Sequence, residues 1–393
     1  YTYKQTMQPD IETSKTTANA GNKSRELLHR VIISGGGTGG HIFPALSIAD
    51  EIRRRNPEAE IRFVGANGRM EMERVPAAGY PIDGLTIAGL DRRRLWRNFR
   101  VLWLAWKATR RCRALVRDFR PDVAIGVGGY ASGPLLKAAQ RAGVPTVLQE
   151  QNSYAGVTNK LLGRRARAIC VAYEGMDRFF PGDRVILTGN PVRAALRDCT
   201  LTPSQARQAL GFDPGRPLVL VVGGSLGART INCALADGAA CAIAATGAQV
   251  LWQTGKTYAP DARVTIPEGV QATTFIADMA TAYRAADVVV SRAGASTISE
   301  LQLLGKASVL VPSPNVAENH PYHNAMALVK RDAAILVTDA DAMRDLAGAV
   351  LGLLADPTRR ETLAANAAAM GRPEATETIV NIIEDTVQQS HTL

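Results

Sequence analysis

The sequence predicts an α/β protein built from two Rossmann-like halves, each a doubly wound parallel sheet. Three observations carry this reading. Short runs that are apolar along their whole length recur from Arg30 to Thr338, each followed by a helical pattern, as strands covered by helices on both faces require. Several of these runs end in glycine-rich loops, which is where doubly wound sheets bind ligands. The series restarts after Gly189-Asn190-Pro191 and the polar stretch from Leu201 to Pro217, and 393 residues of which 46% are hydrophobic suffice for two ordinary cores.

The first half opens with RVIISG and runs straight into GGGTGG (35–40), His41 and a helical pattern entered through Pro44. Glycines at 35, 36, 37, 39 and 40 remove every side chain that would hold a ligand away from the backbone, and the helix start behind them offers unpaired N–H groups. A polar or anionic group is expected there, with His41 as the side chain able to take a proton near neutral pH. EIRFVGA, PDVAIGVGG, TVLQEQ, AICVAY and RVILTG supply the next strands, and GVGGYASGP (126–134) a second glycine loop. In the second half the strands are LVLVVGG, QVLWQTG, TTFIA, DVVVSRAG, SVLVPSP and AILVT, with loops GGSLGA (223–228) and SRAGASTISE (291–300). Two facing sets of loops imply a cleft. The expected division is a disordered tail over 1–28, a first domain over 29–190 and a second over 191–393, the last helix crossing back to the first.

The net charge of +10 is local, because eleven basic residues against the single acid Asp118 lie between Arg92 and Arg120. On a helical wheel Val101, Leu104, Ala105, Ala108, Cys112, Leu115, Val116 and Phe119 form a core stripe. A different face collects Leu95, Trp96, Phe99, Leu102, Trp103 and Trp106, flanked by Arg97 and Arg100. Aromatic and basic residues together on a segment too polar to span a bilayer fit a surface that dips into an anionic membrane; a second core contact with a solvated rim is the plainer reading. Nucleic acid would also answer to charge and aromatics, but the glycine-loop cleft offers no means of reading it, and no nucleic-acid partner is expected.

No run approaches the ~20 apolar residues of a membrane span, and the first 28 residues lack the apolar stretch of a secretory signal. Five scattered cysteines without a CxxC pair are read as reduced, mostly buried thiols of a cytoplasmic protein.

Gly35-x-Gly37-x-x-Gly40 satisfies the dinucleotide fingerprint, so a nicotinamide enzyme is a rival reading; yet the next strand ends RFVGANG, without the acid that would hold a ribose 2′-hydroxyl. Gly255-Lys256-Thr257 lacks the first P-loop glycine, having Val250 there. Asp339-Ala340-Asp341 could hold a metal, but it precedes a helical run and is read as helix capping. His320 and His323 share a helical face without a nearby third ligand, so no metal site is expected.

Taken in order, GGGTGGHIFPA, GVGGYASGP, EQNSYAGVTNKLLGRRA, TGNPVR, GGSLGA, FIADMATAYRAADVVVSRAG, ASTISE and VPSPNVAENH resemble the MurG family, the peripheral membrane N-acetylglucosaminyltransferases of bacterial peptidoglycan synthesis. The resemblance runs from about Arg30 to the last helices. It implies a GT-B fold whose second domain holds UDP-GlcNAc and whose first holds the undecaprenyl-linked acceptor, lipid I, at the cytoplasmic face of the inner membrane, with no cofactor. A related GT-B enzyme with another lipid acceptor is the nearest alternative. The family's donor contacts fall on Thr38, Gly39, Gly40, Asn152, Arg193, Ser225, Ile276, Ala295, Ser296, Thr297, Ile298, Ser299 and Glu300. Glu300 suits the ribose diol, the backbone at Ile276 the uracil edge, and Ser225 with Arg193 the departing diphosphate. His41 is the expected general base, with Tyr130 and Glu150 as acceptor-side residues. Where the family usually has a glutamine touching the donor sugar, this chain has Pro321, leaving His320 or Asn319 to substitute.

Overall fold

A computed structural model describes residues 28–37, 39–87, 98–224, 226–256, 258, 266–314 and 319–391. Two all-parallel sheets form the frame. The first contains β1 (Arg30–Gly35), β2 (Glu60–Ala66), β3 (Ile82–Leu85), β4 (Val123–Gly128), β5 (Thr146–Glu150), β6 (Ala168–Val171) and β7 (Val185–Leu187), in the order β3-β2-β1-β4-β5-β6-β7. The second contains β8 (Leu218–Val222), β9 (Gln249–Gln253), β10 (Val270–Thr273), β11 (Val288–Ser291), β12 (Ser308–Leu310) and β13 (Ile335–Leu336), in the order β10-β9-β8-β11-β12-β13. Strand order reverses beside β1 in one sheet and beside β8 in the other, so the loops after β1, β4, β8 and β11 emerge at the two switch points.

The apolar runs form strands because both faces are covered: β1, β4, β5 and β8 carry no exposed residue. Two departures from the expected strands have local causes. IDGL, broken by Gly84, becomes the edge strand β3, held through Phe63↔Ile82 and its neighbours. TTFIA does not extend as a strand; pairing with β9 ends at Thr273↔Gln253, and Ile276 lies in the following loop with its side chain buried.

The last helix, Ala375–His391, lays Ile379, Val380, Ile383 and Val387 into the core that Ile42, Ile48 and Ile52 of the helix Gly39–Arg55 also line. Arg55 ties the two helices together through Glu384 at 3.0 Å. The helix Asn98–Phe119 buries Leu104, Ala108, Cys112 and Val116, while Trp103 and Trp106 stand 56% and 60% exposed. Leu95, Trp96 and Arg97 lie outside the described residues, as do the side chains of Phe99, Arg100 and Leu102. No described helix is long and apolar enough to cross a membrane. Cys112 and Cys170 are buried, but Cys241 is exposed at the start of a surface helix, against the buried role expected of it.

Asp341 does stand at the N-cap of the helix Ala342–Ala355, but its side chain does not cap it. Its carboxylate accepts from Arg344 at 2.9 Å and from the Thr338 hydroxyl, and Asp339 pairs with Arg292 and Thr230, so the expected cap is replaced by ion pairing.

Candidate active site

The glycine loop after β1 is pinned from two sides. Glu71, at the start of the helix Glu71–Ala77 and only 1% exposed, accepts from the Gly37 N–H at 2.9 Å and from the Ala66 N–H at 3.0 Å. A Cβ on Gly36 would lie 2.3 Å from the Glu71 carboxylate, and one on Gly129 would lie 2.3 Å from the Gly36 carbonyl oxygen. Gly36 and Gly129 are therefore required by close packing of loop on loop. Glu71 was not singled out from sequence; the acid sits after the wrong turn of chain for a dinucleotide fingerprint, and only the fold brings it under the loop.

His41 lies in the first turn of the helix Gly39–Arg55, against the backbone of Gly128, where an added Cβ would come within 2.7 Å of its Nδ1. Its Nδ1 is 2.8 Å from Gln151 Oε1, and Gln151 Nε2 donates to the Val127 carbonyl at 2.7 Å and to the Gln149 carbonyl at 3.1 Å. Two carbonyl acceptors fix which end of the amide is NH₂. Gln151 thus presents oxygen to the ring, Nδ1 carries the proton, and Nε2 is left as the basic nitrogen.

Glu150 is not an open acceptor-side group. Only 2% exposed, it accepts from the N–H and side chain of Asn152, from the Gly156 N–H and from Asn159 Nδ2, and so organises the loop after β5. Tyr130, by contrast, is exposed at the end of the loop after β4.

Across the cleft, Glu300 is held in the helix Ala295–Leu304 and accepts from Arg193 Nη2 at 2.8 Å and from the Tyr283 hydroxyl at 3.0 Å. Burial, then the Glu300 charge, pushes the Tyr283 phenol well up, so it stays a donor. The Arg193 guanidinium also lies over the Phe43 ring at 5.4 Å, reaching the helix that carries His41. Ser299 does not open on the cleft: its hydroxyl donates to the Ala295 carbonyl and accepts from Asn190, whose side chain also binds the Gln151 carbonyl. Ala295 and Ile298 are buried, whereas Ser296 and Thr297 are partly exposed in the helix's first turn. Gly39 and Gly40 open the helix of His41, partly exposed; Thr38 and Ser225 lie outside the described residues.

Asn152 meets the second half directly, accepting from Asn324 Nδ2 at 3.1 Å, while Asn324 Oδ1 accepts from Ser153 N–H at 2.9 Å. Pro321 fills the first turn of the helix His320–Val329 behind Asn319, which has φ of 53°. The rings of His320 and His323 turn to Tyr154, at 5.9 and 5.5 Å.

Two parallel α/β sheets joined through Asn152–Asn324 and through Arg193 over Phe43 have the GT-B fold, and the family models assign that fold to the glycosyltransferases. Residues 31–171 match the glycosyltransferase family 28 N-terminal domain and residues 218–379 its C-terminal domain. Over 355 residues the chain is 53% identical to the UDP-N-acetylglucosamine–N-acetylmuramyl-(pentapeptide) pyrophosphoryl-undecaprenol N-acetylglucosamine transferase of Phocaeicola vulgatus, covering 89% of this chain and 94% of the relative. The corresponding transferase of Bacteroides fragilis is 52% identical over 370 residues, covering 92% and 96%. The crystal structure of Acinetobacter baumannii MurG matches with a TM-score of 0.72 at 27% identity, over 91% of this chain and 99% of that one. A UDP-N-acetylglucosamine 2-epimerase shares the fold at 14% identity and a TM-score of 0.63, covering 91% of this chain and 95% of that one, so the fold alone does not decide the reaction. The chain belongs to the MurG family of N-acetylglucosamine transferases and is a hexosyltransferase.

Proposed function

We infer that this enzyme moves GlcNAc from UDP-GlcNAc to the muramyl 4-hydroxyl of lipid I, with inversion, giving lipid II. The observation that carries the reading is a pair of assemblies brought together where Arg193 lies over Phe43 of the helix bearing His41: a histidine with a preset basic nitrogen, and a carboxylate and guanidinium joined to each other. The second half takes the donor. Glu300 offers acceptor oxygens to the ribose hydroxyls, and Arg193, already beside it, supplies a fixed cation for the diphosphate together with the loop that carries Ser225. Ser296 and Thr297 fall in the first turn of the helix that bears Glu300.

The first half takes the acceptor. As the muramyl O4 forms its bond to the anomeric carbon, the bond from that carbon to UDP breaks, and the hydroxyl proton passes to His41 Nε2. Gln151 stabilises the resulting imidazolium from its far side through Nδ1–H. Attack from the face opposite UDP gives the β-linkage.

The enzyme reaches its lipid substrate from the inner leaflet, docked through the exposed face of the helix Asn98–Phe119. Lys107 and Arg110 stand over the rings of Trp103 and Trp106, at 5.4 and 5.8 Å, so cations and aromatic edges are presented together. Washed membranes given radiolabelled UDP-GlcNAc with either lipid I or diacylglycerol separate this function from a GT-B enzyme with another acceptor. Calorimetry with UDP and NADH tests the oxidoreductase reading; NADH binding without UDP binding would overturn the assignment.

A further inference from the structure

Next to the contact between Asn152 and Asn324, with Ser153 and His323 in its wall, lies a cavity of about 610 Å³ that none of the catalytic roles above uses. Its walls come from both halves: Ser153 and Tyr154 after β5, Tyr173 after β6, and His323, Met326 and Lys330 of the helix His320–Val329 and its cap. We propose that this cavity is the subsite for the peptide carried by the acceptor's muramyl group. The inference rests on the function proposed above.

Position is the first argument. Gln151 holds His41, and Ser153, two residues on, lines the cavity, so Cα atoms of the catalytic loop and the cavity wall are within about 7 Å. The muramyl peptide leaves the sugar from the ring carbon next to the reacting hydroxyl. A pentapeptide spans about 17 Å when extended, enough to enter the cavity while O4 stands at His41.

Charge is the second. Arg178, Lys330, Arg331 and Arg372 line the cavity against one acid among the described lining residues, Glu174, which Arg331 already pairs at 2.5 Å. A peptide necessarily ends in a carboxylate, and the surplus of cations suits it. Polarity is the third. Tyr173 is more than nine-tenths buried, and its hydroxyl has no hydrogen-bond partner among the described residues. A peptide backbone brings one carbonyl acceptor per residue to such a donor. Met326 and Leu187 on the lining leave room for small apolar side chains.

The test compares two lipid-linked acceptors, one with the full pentapeptide and one with a bare muramyl group, in wild type, Lys330→Glu and Met326→Trp. Wild type should have the lower KM for the pentapeptide acceptor. Each substitution should raise that KM about tenfold, as loss of one charge-assisted contact or of cavity space would, and leave KM for the bare acceptor within about twofold. Equal effects on both acceptors, or none on either, would overturn the subsite while leaving the transferase reading intact. Turnover of neither acceptor by wild type would remove the functional reading and this inference with it.

Discussion

Gln151 Oε1 and His41 Nδ1 lie 2.8 Å apart, and the amide cannot rotate, because its nitrogen is bound to the Val127 and Gln149 carbonyls. That contact determines which imidazole nitrogen is left without a proton, and so which one acts in the proposed mechanism. His41→Ala should lower kcat by about 10² to 10⁴ with KM for UDP-GlcNAc nearly kept. Gln151→Met, which keeps length but loses the acceptor, should lower kcat by about 10- to 100-fold. Unchanged turnover in His41→Ala would refute the base.

Glu71 is a buried carboxylate whose two oxygens serve two backbone N–H groups. Glu71→Gln turns one oxygen into an NH₂ that faces a donor, so one N–H loses its partner. A stability loss of about 1–3 kcal/mol in urea unfolding is expected, with kcat falling more than donor KM rises. An unmoved urea midpoint would mean that the carboxylate does not hold the loop.

Arg193 and Glu300 occupy each other at 2.8 Å, so the proposed ribose contact would share the carboxylate with the guanidinium. Wild type should bind UDP at least tenfold more tightly than 2′-deoxy-UDP in calorimetry, and Glu300→Gln should narrow that gap. Equal affinities in wild type would show that Glu300 does not read the diol.

If the helix Asn98–Phe119 docks on the membrane as proposed, Trp103→Ala combined with Trp106→Ala should weaken binding to anionic vesicles while activity on a short-chain soluble acceptor persists. Binding should also fall as salt rises through about 0.1–0.5 M, where surface charges are screened. Vesicle affinity that ignores both changes would assign these rings to another partner.

Lys306 donates to the Ala286 carbonyl at 2.8 Å, and desolvation pulls its pKa from 10.5 to about 8. Between those values the unfolded chain holds the proton that the folded chain has lost, so stability rises with pH from about 8 to 10.5. Below about 8 the burial cost is fully present. Urea midpoints across this window should climb in wild type and climb less in Lys306→Met; parallel profiles would exclude Lys306 as the source.

Much of the fold was legible because a strand buried on both faces leaves an unmistakable apolar run, as β1, β4, β8 and β11 show. β3 was missed because an edge strand of four residues with a glycine has no such signature. Among the candidate site residues, His41 stood out by following five glycines, whereas Arg193 and Glu300 came only through the family resemblance of TGNPVR and ASTISE. Glu150 misled: a carboxylate beside a glycine loop looks available, but whether it is spent on its own loop depends on four donors that only folding assembles.

Alternating apolar strands and helices, and the loops at their ends, determined without further help that two parallel-sheet α/β halves would form, because periodicity and backbone freedom are local properties. Tertiary structure alone decided that Gln151 presets the His41 tautomer, that Glu71 locks the glycine loop and that Arg193 meets Glu300. Each of those contacts joins residues 34 to 110 positions apart, and hydrogen bonds of that kind depend on distance and direction in space, which sequence spacing does not encode.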